Sequence, residues 1–154
     1  MRLRNIFIGM LAFTMFLIIG CSSDVENIDS ELPPTMKAVV MINGMEYPME
    51  MGNYQWEIKK GLETEVTLTD HLSPYQMAEE IDPIKIEPNQ KVEIRVEDNP
   101  DIKIYLWNEN GRSEEIKQDN NQIIMSSSKG EYIYEALAEW PDGTISYTFV
   151  VDIK

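Results

Sequence analysis

The chain has 154 residues, and its 27 acidic and 13 basic side chains give a net charge of −14 at neutral pH. Apart from Lys59-Lys60 the basic residues are scattered singly, which argues against nucleic acid as a partner, because phosphate binding needs a basic patch. One cysteine, Cys21, cannot form an intramolecular disulfide, and one histidine, His71, cannot complete a zinc site. The fold must therefore be stabilised by packing alone.

The N-terminus carries an apolar run that follows two arginines and ends at the cysteine. Arg2 and Arg4 precede the 14 residues from Ile6 to Ile19, and Gly20 separates that run from Cys21. A membrane-spanning helix needs about 20 apolar residues to cross roughly 30 Å of hydrocarbon, so this run suits a cleaved signal sequence better than a permanent span.

The residues from Ile18 to Cys21 read Ile-Ile-Gly-Cys and resemble the lipobox of bacterial lipoproteins. The resemblance implies a diacylglyceryl group on the Cys21 thiol and signal cleavage between Gly20 and Cys21. It also implies a protein that is lipid-anchored to the cell membrane on its extracytoplasmic face. Plain secretion and an uncleaved anchor remain the alternatives.

The segment after the cysteine has the composition of a flexible tether. Residues 22–36 contain four acids, two prolines and no base, and cannot bury enough apolar surface to offset the entropy of ordering. The predicted organisation is a signal peptide at 1–20, a lipidated cysteine with an acidic tether at 21–36, and one domain at 37–154. Its 118 residues suffice for one core.

This domain shows short strand signals at regular spacing. Asn43-Gly44 and Asp142-Gly143 are typical hairpin turns, and Val92, Ile94 and Val96 alternate with polar residues, as in a sheet with one buried face. The predicted strands are Ala38–Ile42, Met45–Met49, Tyr54–Ile58, Val66–Leu68, Ile84–Ile86, Val92–Val96, Ile102–Trp107, Ile123–Met125, Glu131–Trp140 and Ile145–Ile153.

A short helix is expected between the fourth and fifth strands. Ser73 is a suitable N-cap, Pro74 suits the first helical position, Gln76 completes a capping box, and Pro83 prevents continuation beyond about Ile81. Many short strands with one brief helix predict an all-β fold, an antiparallel immunoglobulin-like β-sandwich. A small closed barrel is the alternative.

The C-terminal third resembles the closing hairpin of bacterial immunoglobulin-like domains. It has a Gly-x-Tyr-x-Tyr strand from Gly130 to Tyr134, a tight turn at Asp142-Gly143 and a final apolar strand. With Gly52-x-Tyr54-x-Trp56 upstream, the domain is similar to small uncharacterised lipoproteins of Gram-positive bacteria. The resemblance implies that Tyr132 forms a tyrosine corner, with its hydroxyl on nearby backbone, and implies no catalytic residue.

Several patterns are compatible with a metal or a catalytic site. Calcium ligands could come from three groups of oxygen-bearing residues, although Asp and Asn are also common in ordinary turns. Four methionines lie close enough in sequence to suggest a copper site, although methionine is also common in core packing. The oxygen groups are Glu79, Glu80 and Asp82; Asp98, Asn99 and Asp101; and Asp119, Asn120 and Asn121; the methionines are Met41, Met45, Met49 and Met51. His71 lies between Asp70 and Ser73, but Ser73 is already explained as a helix cap. We therefore expect no metal, cofactor or catalytic residue.

Aromatic residues provide the candidate binding site. Most are expected in the core, and Trp107 is the exception, because it precedes the polar loop 108–111. The sequence thus predicts a non-enzymatic lipoprotein that binds an envelope protein, peptide or glycan. The alternatives are an inhibitor or accessory subunit of a membrane or secreted enzyme, or a calcium- or glycan-binding domain.

Overall fold

The computed structural model describes residues 36–154, except the side chain of Lys60. The predicted signal peptide, the cleavage and lipidation positions at Gly20 and Cys21, and the tether up to residue 35 lie outside the described residues. Among residues 36–154, no helix has the length and apolar character needed to cross a membrane.

The described part of the chain contains eleven strands and one short helical segment. The strands are β1 (Ala38–Ile42), β2 (Met45–Pro48), β3 (Glu50–Lys60), β4 (Glu63–Leu68), β5 (Ile84–Ile86), β6 (Lys91–Val96), β7 (Asp101–Asn108), β8 (Gly111–Ile116), β9 (Gln122–Ile124), β10 (Gly130–Trp140) and β11 (Gly143–Ile153). The helical segment joins α1 (Pro74–Met77) to a 3-10 turn (Ala78–Glu80).

The strands form two sheets. The smaller sheet has the order β2-β1-β6-β9, and the larger has the order β4-β3-β11-β10-β7-β8 with β5 added alongside β11. One continuous core contains buried side chains from both sheets, which makes the fold an all-β sandwich. The predicted fold class is therefore confirmed.

Alternation along the strands determines which side chains enter the core. Val92, Ile94 and Val96 of β6 are buried, while Glu93 and Arg95 pair with each other on the opposite face at 2.7 Å. In the larger sheet the fully buried large side chains include Ile104 on β7 and Ile145, Tyr147 and Phe149 on β11. The core therefore lies between the two sheets.

The hairpin turns follow the sequence signals. Asn43 and Gly44 both have positive φ, 52° and 82°, as a type I′ turn requires. At the second turn, a Cβ on Gly143 would lie only 2.3 Å from the backbone oxygen of Gln55. Glycine is needed there because β3 passes close to the start of β11.

The predicted helix start is confirmed, and the helical segment ends at Glu80, next to the predicted end near Ile81, with its second half as a 3-10 turn. Ser73 caps α1, its hydroxyl accepts the Gln76 backbone N–H, and the Gln76 side chain accepts the Ser73 N–H at 3.1 Å. The α-helix ends at Met77, and the 3-10 turn continues to Glu80. The capping box and Pro74 define where the helix begins, while the extended Ile81 ends it.

Some strand ends differ from the predicted ones, as in β3, which begins at Glu50 and not at Tyr54, and two further differences concern whole strands. Strand β8, with the sequence Gly-Arg-Ser-Glu-Glu-Ile, was not among the predicted strands, because an edge strand exposed to solvent lacks apolar alternation. Strand β5 pairs with β11 in parallel, whereas every other strand pair among the described residues is antiparallel. The sheets are thus mostly antiparallel, as predicted, and this parallel pair arises because the helical crossover returns the chain in the β11 direction.

Tyr132 occupies the position that the immunoglobulin-like resemblance implied. Its hydroxyl donates to the Ser128 carbonyl at 3.1 Å and lies 3.0 Å from the Ser126 hydroxyl. The ring packs against the core. This contact ties the loop before β10 to the strand itself.

Candidate functional site

The site lies on the outer face of the larger sheet, which we define as the face turned away from the core. On β10, Tyr134 and Ala136 point into the core, so Glu135 and Leu137 belong to the outer face. In register with Glu135 are Tyr105 on β7 and Thr148 on β11. Three central strands therefore build the floor of the site.

Glu135 is a buried carboxylate in that floor, with 3% of its surface exposed. Arg112 donates two hydrogen bonds to it, from Nε to Oε2 at 2.8 Å and from Nη2 to Oε1 at 2.9 Å. The Trp107 indole N–H donates to Oε2 at 2.6 Å, and the Ser146 hydroxyl donates to Oε1 at 2.8 Å. Each carboxylate oxygen thus accepts two hydrogen bonds.

These contacts decide the ionisation of Glu135. Burial acts to raise its pKa, but the hydrogen bonds from Arg112, Trp107 and Ser146 and the positive charge of Arg112 outweigh burial, so the pKa lies below its usual value of 4.5. The same pairing raises the pKa of Arg112. The pair is fully charged at neutral pH, and the carboxylate is engaged rather than available for proton transfer.

Arg112 links this carboxylate to an aromatic side chain. Its guanidinium carbon lies 4.3 Å from the centre of the Tyr105 ring, a cation–π contact. The Arg112 side chain remains 43% exposed. Arg112 therefore holds the edge strand β8 against β7 and β10 while part of its surface faces solvent.

A cleft of about 800 Å³ opens above this floor. One wall comes from β3 and β4, and the other comes from the segment that leads into α1. The lining residues are Asn53, Tyr54, Gln55, Leu68, Thr69, Asp70, His71, Ser73, Pro74, Gln76, Trp107, Arg112, Glu135, Leu137, Thr144 and Ser146. The lining is mainly polar, and its apolar and aromatic members are Tyr54, Leu68, Pro74, Trp107 and Leu137.

Trp107, the residue selected from the sequence as a ligand contact, lines this cleft. It lies on the outer face of β7, while Trp56 and Trp140 pack against the core and meet edge to face at 5.6 Å between ring centres. Glu135 and Arg112 were not predicted as site residues from the sequence. The acid within the apolar run Tyr134–Ala138 was a signal for Glu135, but Arg112 lies in the strand that the sequence did not predict.

Asp70, His71 and Ser73 also line this cleft, and the contacts of His71 and Ser73 are structural. The His71 backbone N–H donates to the Asn53 side-chain oxygen at 2.5 Å, and the Ser73 hydroxyl lies 3.0 Å from Gln76 Oε1. His71 is exposed. These contacts anchor the α1 segment over the sheet, with Ser73 acting as a helix cap.

The candidate metal ligands are dispersed. Within residues 36–154, no three His, Cys, Asp or Glu side chains come together as a metal site requires. Asp98, Asn99, Asn120 and Asn121 have positive φ, which places these two groups in tight turns. Of the four methionines, Met49 and Met51 pack on the core, and Met45 is exposed.

Comparison with known proteins gives no relative that assigns a family or function to these residues. No protein-family model, no curated protein and no solved structure matches the chain.

Proposed function

We propose that this protein is a membrane-anchored extracytoplasmic lipoprotein whose β-sandwich domain binds a ligand in the outer-face cleft without chemical conversion. The observation that carries the proposal is the position of Trp107, a half-buried indole on the cleft floor whose N–H donates to the buried Glu135 at 2.6 Å. A large aromatic side chain with a fixed orientation beside polar groups is suited to recognition.

The chemistry of the cleft supports binding over catalysis. Its buried carboxylate, Glu135, is paired with Arg112, and the hydroxyls of Ser73 and Ser146 are hydrogen bonded to Gln76 and Glu135. A nucleophile needs an adjacent base, and a general acid needs a raised pKa, whereas the pKa of Glu135 is lowered. The Glu135 carboxylate and the Ser146 hydroxyl on the cleft floor are therefore held by their hydrogen bonds and serve a structural role.

A second candidate is an accessory or inhibitory subunit of a membrane or secreted enzyme. Exposed apolar side chains along the edge strand β4 and the turn before it favour this candidate: Leu62 is fully exposed, and Leu68 is 67% exposed. Edge strands with apolar side chains are suited to pairing with another protein.

The anchoring part of the proposal predicts the fate of a Cys21→Ser variant. We expect this variant to lose labelling by radioactive palmitate and to accumulate as the uncleaved precursor, because the thiol that accepts the lipid is absent. Gel mobility and mass spectrometry of membrane fractions measure both effects. A matched Ser22→Ala variant should be processed normally, and normal processing of Cys21→Ser would contradict lipid attachment at this residue.

The binding part predicts cleft-dependent capture. Full-length lipidated protein, tagged at its C-terminus and solubilised from native envelopes, is expected to retain a stoichiometric partner or glycan. A Trp107→Ala variant should lose it, while a Tyr75→Ala variant should not, because Tyr75 is an exposed aromatic residue outside the cleft lining. Capture that is equal for all three proteins would contradict a binding role for the cleft.

A further inference from the structure

This inference rests on the proposed function, in which the cleft is a binding site. The position of the cleft on the sheet then indicates the chemical class of the ligand. Its floor is the face of a sheet and not an edge. Thr144 of β11 pairs with Gln55 of β3, which also pairs with Leu68 of β4, and Glu135 of β10 lies between β7 and β11. Across β3, β7, β10 and β11 the backbone groups are used in the sheet, so a peptide cannot add a strand on the floor, and the edge strands β4 and β8 allow strand addition only at the rim of the cleft.

The charge of the lining disfavours an ionic ligand. Arg112 is the one Lys or Arg side chain among the described lining residues, and two of its N–H groups bind Glu135. Asp70 contributes a single exposed carboxylate. An anionic ligand would meet no unpaired positive charge, and a chain with 27 acidic residues repels anions in general.

The polar groups that remain are neutral, and together they supply both hydrogen-bond donors and acceptors. Asn53 and Gln76 use their side-chain oxygens on the His71 and Ser73 N–H groups, which leaves their NH2 groups as donors. Gln55 is exposed, and Thr144 carries a hydroxyl on the same face. Amides and hydroxyls of this kind complement ligand hydroxyl groups, which also donate and accept.

The aromatic group supplies the apolar part of the contact. Trp107 lines the cleft with its indole N–H already bound to Glu135, so the ring can offer only apolar contact and its π-face. A sugar ring combines an apolar C–H face with a rim of hydroxyls. We propose that the cleft binds a neutral oligosaccharide, with one sugar against Trp107 and the hydroxyls of further sugars along the cleft on Asn53, Gln55 and Thr144.

The same geometry explains why the sugar is bound and not hydrolysed. Glycoside hydrolysis generally uses two carboxyl groups, one of them protonated to act as the acid. Among the described lining residues the two carboxylates are Asp70 and Glu135, and Glu135 is held ionised by Arg112. The cleft therefore has a recognition surface without a catalytic pair.

The test uses the full-length lipidated protein in detergent micelles and an array of immobilised probes. The probes are neutral hexose and N-acetylhexosamine oligomers, acidic oligosaccharides, and a set of unstructured peptides. The protein is expected to bind a neutral oligomer, and Trp107→Ala and Gln55→Ala are each expected to weaken that binding by about tenfold. Trp107→Phe, which keeps an aromatic ring, should bind more tightly than Trp107→Ala, and Tyr75→Ala should match the unmodified protein.

The outcomes separate this inference from the proposed function. Cleft-dependent binding of a peptide or of an acidic oligosaccharide in preference to the neutral oligomers would overturn the oligosaccharide inference and leave the cleft as a binding site. Glycan binding that survives both Trp107→Ala and Gln55→Ala would place the sugar elsewhere and overturn the inference. If no probe and no envelope component binds in a cleft-dependent way, both the inference and the proposed binding role fail.

Discussion

Replacing Phe149 with alanine is expected to lower the free energy of unfolding by about 3–5 kcal/mol, because a large buried ring is lost and a cavity is left behind. Phe149 is 1% exposed and lies directly opposite Tyr134 in the β10–β11 pair. The two rings stack with their centres 5.2 Å apart and their planes 13° from parallel. Urea unfolding followed by tryptophan fluorescence measures the effect.

The control for Phe149 is an aromatic side chain outside the core. Tyr75→Ala removes a ring that is 39% exposed and should change stability by no more than about 0.5 kcal/mol. If Phe149→Ala unfolded at the same urea concentration as Tyr75→Ala, the central position of β11 in the core would be contradicted.

Replacing Glu135 with alanine is expected to cost about 2–4 kcal/mol of unfolding free energy, because the change leaves the Trp107 and Ser146 donors and the Arg112 charge without their shared acceptor. The estimate is below that for a fully buried ion pair because Arg112 is 43% exposed and can be solvated. Urea unfolding at neutral pH measures this loss.

The matched control is Glu139→Ala on the same face of β10. Glu139 also forms an ion pair, with Lys103 at 2.8 Å, but 32% and 40% of the two side chains are exposed, so its loss should cost no more than about 1 kcal/mol. Equal losses of unfolding free energy in the two variants would contradict the expectation that the buried Glu135 stabilises the fold more than Glu139 does.

The lowered pKa of Glu135 predicts that the free energy of unfolding depends on pH. Its pKa in the folded protein is below the usual value of 4.5, so the stability it contributes is complete above that value and is lost as the pH falls through the lower folded pKa. Between about pH 5 and pH 3, the gap in stability between the unmodified protein and Glu135→Ala should therefore narrow. A gap that stays constant over this range would show that Glu135 has the same pKa in both states.

Much of the fold could be read from short-range patterns. Alternation placed Val92, Ile94 and Val96 on the buried face of β6, and Asn43-Gly44 and Ser73-Pro74 marked a hairpin turn and a helix start. These signals work because side-chain direction, turn backbone and helix capping depend on residues a few positions apart.

The candidate site was predicted only in part. Trp107 was selected because it precedes a polar loop, and it lies in the cleft. The groups that orient it could not be found in this way: Glu135 is 28 residues from Trp107 and 23 from Arg112 in the sequence. No local pattern indicates which two distant polar residues will meet.

The sequence by itself determined most of the strand positions, the two hairpin turns, the helix cap and the acidic charge, and it supplied the resemblance to a lipobox on which the anchoring proposal depends. Only the tertiary structure decided that β8 is a strand, that β5 pairs with β11 in parallel, and that the α1 segment and the sheet enclose a cleft around Trp107. The physical reason is the range of the interactions. Local propensities act between neighbours in the chain, whereas the partners of a buried carboxylate and the walls of a cleft are set by the order of the strands in the sheet.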